Sequence, residues 1–159
     1  MEGMNEMMKM PKRSLFIFTL LAILLLCFSA TAADALTVTN TNDSGAGSLR
    51  QAVLDVDTGG TINFDNALSG DVITLFSEIT INKSLSIQGL GTDLLSISGN
   101  NSNRIFNIGS EASADISGLS LVIGNANVYG GSAPGGAIYN SGNLILTDCN
   151  LTGNTARNG

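Results

Sequence analysis

Six aspartates, three bases, one tyrosine and one cysteine are the residues of this chain that could do chemistry, and their spacing decides which chemistry is open to them. The acids are Asp43, Asp55, Asp57, Asp65, Asp71 and Asp93; Lys83 and Arg104 are the bases near the middle, and Arg50 lies further upstream. Calcium-assisted elimination on an acidic polymer needs several carboxylates converging on one ion and a base beside them. Glycoside hydrolysis needs two carboxyl groups flanking the scissile bond. These aspartates instead stand singly, mostly among Gly, Asn and Ser, where Asp bends or caps the chain. Oxygen ligands for a cation are densest at Asn40, Asn42 and Asp43 and at the pair Asp55 and Asp57. The chain carries no EF-hand loop or calcium-binding nonapeptide. Turn chemistry is therefore the reading for the acids, and no catalytic, cofactor or metal residue is assigned.

Tyr129 lies in a Gly-rich stretch from Gly124 to Gly136. It is placed to meet a sugar or a partner, with a long solvated loop as the plainer expectation. Arg50 follows Leu49 outside an apolar stripe and is expected to be solvated or ion-paired. Cys149 has no basic neighbour in sequence to lower its pKa and is expected to act as a small core residue.

The elements that must position these residues are short. Leu36–Thr39 reads as a strand, and the Asn, Asp, Ser and Gly of 40–47 as a loop. Leu49, Ala52, Val53 and Val56 then fall at i, i+3, i+4 and i+7, a helical stripe. Ser48 with Gln51 has the form of a capping box, and Gly59-Gly60 ends the helix near 48–56. From Thr61 on, three- to five-residue alternations of Ile, Leu or Val with Ser, Thr or Asn are separated by Gly and Asn corners. Expected strands include 62–64, 72–75, 79–81, 85–87, 95–97, 105–108, 116–121, 138–139, 144–146 and 149–151.

One stretch repeats another. Ile116–Leu121 with Gly124-Asn125-Ala126 returns downstream, at one fixed offset, as Leu146–Leu151 with Gly153-Asn154-Thr155-Ala156. The offset falls within the range of periods that belong to solenoids. A sandwich of hairpins is the competing fold. It wants longer strands and two-residue turns, yet Asn-Gly occurs only at the last two positions and Asp-Gly never. The expectation is an all-β parallel β-helix of about five or six coils, capped by the helix near 48–56. Some of Asn82, Asn100, Asn125, Asn140 and Asn154 are expected to supply a stacked side-chain amide ladder at the corners.

The N-terminus reads as a signal peptide over 1–32. Lys9, Lys12 and Arg13 precede an apolar run from Leu15 to Phe28, and Ala30-Thr31-Ala32 offers a cleavage site, with Ala33-Asp34-Ala35 as a fallback. Fourteen apolar residues make about 21 Å of helix, short of a hydrocarbon core of about 30 Å. Cys27 follows the bulky Leu26 and leaves with this segment. Residues 33–60 then form the cap and 61–159 the coils.

Beyond Ala32 the chain has four basic and eleven acidic residues, a net charge near −7. Phosphate backbones are bound by Lys and Arg, so nucleic acid is an unsuitable partner. Cys149, alone after Ala32, has no intramolecular disulfide partner.

Two parts of the chain resemble known families. Leu36-Thr37-Val38-Thr39, then Ser48-Leu49-Arg50-Gln51-Ala52, then Thr61-Ile62-Asn63-Phe64 resemble the CSLREA-type segment that opens many exported bacterial β-helix proteins. Gly47 stands where that motif has Cys, and Gln51 where it has Glu. Gly135-Gly136-Ala137-Ile138 is similar to the GGA[ILV] repeats of the polymorphic outer membrane proteins, and Cys149–Ala156 to their FxxN piece, with Leu151 in place of Phe. The resemblance implies a right-handed parallel β-helix on or outside a bacterial cell, usually the start of a much longer protein with adhesive or structural roles. The expectation taken from this is a non-catalytic surface module with a surface protein or polysaccharide as partner. The alternative is the N-terminal part of a carbohydrate-active β-helix enzyme whose site lies downstream. Ala156-Arg157-Asn158-Gly159 falls where another coil would begin, so a fragment is expected, open to self-association through an uncapped last coil and with no transmembrane segment after the signal.

Overall fold

The computed structural model describes residues 34–130 and 133–157. The expected signal peptide, its cleavage site and Cys27 lie outside the described residues. Among those described, no helix is long and apolar enough to cross a membrane.

Among the described residues the chain forms twelve short strands, one α-helix and two 3₁₀ turns. Strand β1 (Ala35–Val38) leads through a turn-rich loop to α1 (Leu49–Asp55). Then come β2 (Thr61–Phe64), β3 (Asp71–Thr74) and β4 (Ile79–Ile81). They are followed by β5 (Leu85–Gln88), β6 (Leu95–Ser98) and β7 (Phe106–Ile108). The third set is β8 (Ser113–Ser117), β9 (Ser120–Val122) and β10 (Ile138–Asn140), and β11 (Asn143–Thr147) and β12 (Asn150–Thr152) close the series.

These strands form three parallel sheets in the orders β1-β2-β5-β8-β11, β3-β6-β9-β12 and β4-β7-β10. Each pass of the chain thus adds one strand to each sheet, as in a parallel β solenoid. Five strands stack on the first face, four on the second and three on the third. The opening turn adds a strand to the first sheet alone, because the rest of it is spent on loop and helix.

Register explains the alternation read in the sequence. Leu36, Ile62, Ile87, Ile116 and Leu146 are successive partners across the first sheet. Ile73, Ile97, Leu121 and Leu151 are partners across the second. Ile79, Phe106 and Ile138 align on the third. Parallel strands in register set like side chains about 4.8 Å apart, so these columns merge into one core. Ile62, Ile87, Ile116, Ile73, Ile97 and Phe106 are fully buried. Leu146 is 38% exposed and Leu151 47%, on β11 and β12, which lie at the ends of their sheets among the described strands.

The helix forms where expected, and Leu49, Ala52, Val53 and Val56 are all buried. It packs against β1 and β4. The capping box is half made: Ser48 Oγ accepts from the Gln51 N–H at 3.2 Å. The Gln51 side chain turns forward to donate to Asp55 Oδ1 at 2.8 Å instead of back to the cap. From the next coil, Lys83 Nζ donates to the carbonyls of Leu54, at 2.8 Å, and Val56, satisfying acceptors that a helix end leaves open.

Two expectations need correction. Residues 116–121 are not one strand; the chain bends at Gly118, φ 62°, separating β8 from β9. The amide ladder is absent as a stack among the described residues. Asn125 Nδ2 donates to Asn101 Oδ1 at 3.2 Å and to its carbonyl at 3.0 Å, but Asn101 was not among the residues expected to stack. Asn154 ties backbone instead, accepting from Gly124 N–H and donating to the Leu121 carbonyl. Asn140 closes its own turn by accepting from Gly142 N–H. Register offsets between stacked strands are unequal: Asp71 pairs with Leu95, whereas Phe106 pairs with the more distant Ile138. Corners of unequal length do not bring the same amide to the same place in each coil.

Candidate functional site

Two clusters of polar side chains form on this scaffold, and residues distant in sequence build both. The first lies where the loop after β1 meets the bend between β3 and β4. The Arg50 side chain leaves α1 and donates from Nη2 to Asp43 Oδ1 at 2.7 Å and from Nε to the Asp43 carbonyl at 3.1 Å. The same guanidinium donates to the carbonyls of Ser77 at 2.7 Å and Glu78 at 2.9 Å. Asp43 Oδ1 also accepts from the Phe76 N–H at 2.9 Å. The expected ion pairing of Arg50 is realised, and it fastens loop 40–47 to the bend at 76–78.

The electrostatics follow from this geometry. Burial pushes the Asp43 carboxyl up, but the Arg50 hydrogen bond, the Phe76 N–H and the Arg50 charge together outweigh it. Its pKa lies below the ordinary 3.8. Beside the pair is an open groove of about 450 Å³, lined by Thr41, Asn42, Ser44 and Thr74 with the apolar Val72 and Phe76. Phe76 is 72% exposed.

The second cluster sits at the entry of the third sheet. Arg104 is buried and donates from Nη1 to Glu78 Oε2 at 2.9 Å and from Nε to the Gly135 carbonyl at 3.1 Å. Glu78 Oε1 accepts from Asn107 Nδ2 at 3.0 Å. The Tyr129 and Tyr139 rings lie 4.6 and 5.1 Å from the guanidinium carbon, within cation–π range. Burial, then the Glu78 charge, pushes the Tyr129 phenol above its ordinary value, against the opposing effect of Arg104. Tyr129 sits on a single 3₁₀ turn, Asn127–Tyr129. The stretch read as a solvated loop is therefore fastened to the coil by Arg104 on the described part of its length.

The remaining sequence candidates are dispersed. Asp65 caps a second 3₁₀ turn by accepting from Ala67 N–H at 2.9 Å, and Asp55 is held by Gln51. Asp57, Asp71 and Asp93 are exposed at separate places: before β2, at the start of β3 and between β5 and β6. Asn40 closes its own loop, donating to the Ala46 carbonyl and accepting from the Asn42 N–H. Among the described residues, no three acidic, Cys or His side chains gather as a metal centre would require. Cys149 is half-buried, and its Sγ lies 3.4 Å from the carbonyls of Ile116 and Thr147.

Sequence reasoning missed Glu78, Tyr139, Asn107 and Phe76. For Asn107 and Tyr139 the signal is register, since Thr80, Asn107 and Tyr139 align across the third sheet, and that alignment requires knowing the coil lengths. No family model matches the chain, and no curated protein or solved structure does.

Proposed function

We propose that this chain is a non-catalytic, exported bacterial β-helix module of right-handed sense, similar to the polymorphic outer membrane proteins. It meets a surface protein or a polysaccharide outside the cell. One observation carries the reading: the charged side chains at both polar clusters are spent on holding loops to the coil. Asp43 and Arg50 fasten one loop and Glu78 and Arg104 another, while Lys83 closes the helix end. Three in-register parallel sheets support the solenoid, and the crossover rule for parallel strands supports its right-handed sense.

Display of the full chain in a diderm bacterium tests this. Protease added to intact cells should remove it, and cells carrying it should gain adherence to a protein or glycan surface. Retention in the cytoplasm would overturn the export reading. Release of reducing or unsaturated sugar from a polysaccharide panel would overturn the non-catalytic one and favour a carbohydrate-active enzyme.

A further inference from the structure

We infer that the groove between the loop after β1 and the outer face of β3 is a binding site for a neutral saccharide, with the Phe76 ring as its platform. This rests on the proposed adhesive function and names the ligand class and the residues that meet it. Ligand sites combine an apolar surface with a few placed polar groups, at volumes of about 300–1,000 Å³. The groove's volume of about 450 Å³ lies inside that range. Its apolar part is Phe76 with Val72, exposed by 72% and 49%. Its polar part is the hydroxyls of Thr41, Ser44 and Thr74, the amide of Asn42 and the carboxylate of Asp43. A pyranose has the matching character, since its C–H face lies on an aromatic ring while its hydroxyls exchange hydrogen bonds with hydroxyl and amide groups.

Charge selects a neutral sugar over an acidic one. Arg50, the base at this end of the groove, is committed to Asp43, Ser77 and Glu78, and the chain as a whole carries −6. A uronate polymer would meet a field of its own sign. Asp43 is likewise committed to Arg50, so the groove presents a compensated pair.

The platform is also pre-set. Asp43 holds the Phe76 N–H, and Arg50 holds the next two carbonyls. The bend that carries the ring is therefore fixed before a ligand arrives, and binding orders little.

Binding of the full chain to immobilised neutral and uronic-acid polysaccharides, and titration with oligosaccharides from any polymer that binds, tests the inference. Phe76→Ala should weaken binding to a neutral glycan by roughly tenfold, the worth of one aromatic contact. Phe76→Tyr should retain it, and Thr74→Val should weaken it a few-fold. Circular dichroism of each variant should match the parent, since the Phe76 side chain is mostly outside the core. Neutral-glycan binding that Phe76→Ala leaves unchanged would overturn this site while leaving the adhesive function standing. Capture of uronate polymers alone, or of no glycan, would overturn the inference. Loss of surface exposure would count against the exported module and not against the groove.

Discussion

At the scale of single residues, Asp43 and Ile123 show opposite relations between a side chain and its backbone. Asp43 gains from its place. Its carboxylate accepts from Arg50 and from the Phe76 N–H, and removing it leaves a guanidinium and an amide without that acceptor. Asp43→Ala should cost about 2–3 kcal/mol in urea denaturation. Because the folded pKa lies below 3.8, the stabilisation is present above the unfolded value and is lost as pH falls through the folded one. Denaturation midpoints followed from roughly pH 6 to pH 2 should therefore drop more in the parent than in Asp43→Asn. Ile123 is the reverse case. It is a half-exposed β-branched residue at φ 54°, where its counterpart in the next coil is Gly153 at φ 68°. A Cβ-branched side chain in the left-handed region carries strain of about 1–3 kcal/mol. Ile123→Gly should stabilise the chain by about 1 kcal/mol, read as a raised urea midpoint; an unchanged or lowered midpoint would mean that the side chain contributes more than its strain costs.

At the scale of elements, the helix is legible in the sequence and its attachments are not. The stripe of Leu49, Ala52, Val53 and Val56 and the Ser48 cap predict α1 to within a residue or so. Seven residues are too few to persist alone, so α1 relies on packing against β1 and β4. Ser48→Ala should cost about 1 kcal/mol, measured by thermal or urea unfolding, through loss of the N-cap acceptor. Lys83 at the helix end comes from the next coil, a partnership no local pattern announces. Glycine corners behave similarly. Gly89 lies against the Gly118 carbonyl of the coil above, and a Cβ there would collide with it. The close approach that demands glycine there is a property of two coils.

At the scale of the whole molecule, each rung is stabilised by its neighbours, so identical chemistry has unequal worth along a column. Ile97 and Leu151 belong to the same column, one fully buried and the other 47% exposed. Ile97→Ala should cost about 3–4 kcal/mol and Leu151→Ala about 1 kcal/mol in urea denaturation of the chain. Equal costs would show that Leu151 is covered in solution. The half-buried Cys149 belongs to the same graded end of the stack.

Alternation, corner residues and the helical stripe are short-range properties, and the sequence alone carries them. They settle a largely β chain of short strands with a capped helix, and the echo of Ile116–Leu121 in Leu146–Leu151 matches the observed register wherever those residues lie in strands. That echo is visible because the strands concerned are stacked at one common spacing. Elsewhere unequal offsets, shorter from Asp71 to Leu95 than from Phe106 to Ile138, hide the period, and only the tertiary structure decides which residues share a column. Both polar clusters are consequences of that choice. Asp43 meets Phe76 across 33 residues and Arg104 meets Glu78 across 26, because loops of unequal length are closed onto one rigid stack. Backbone pairing between coils, which no single segment encodes, sets those distances.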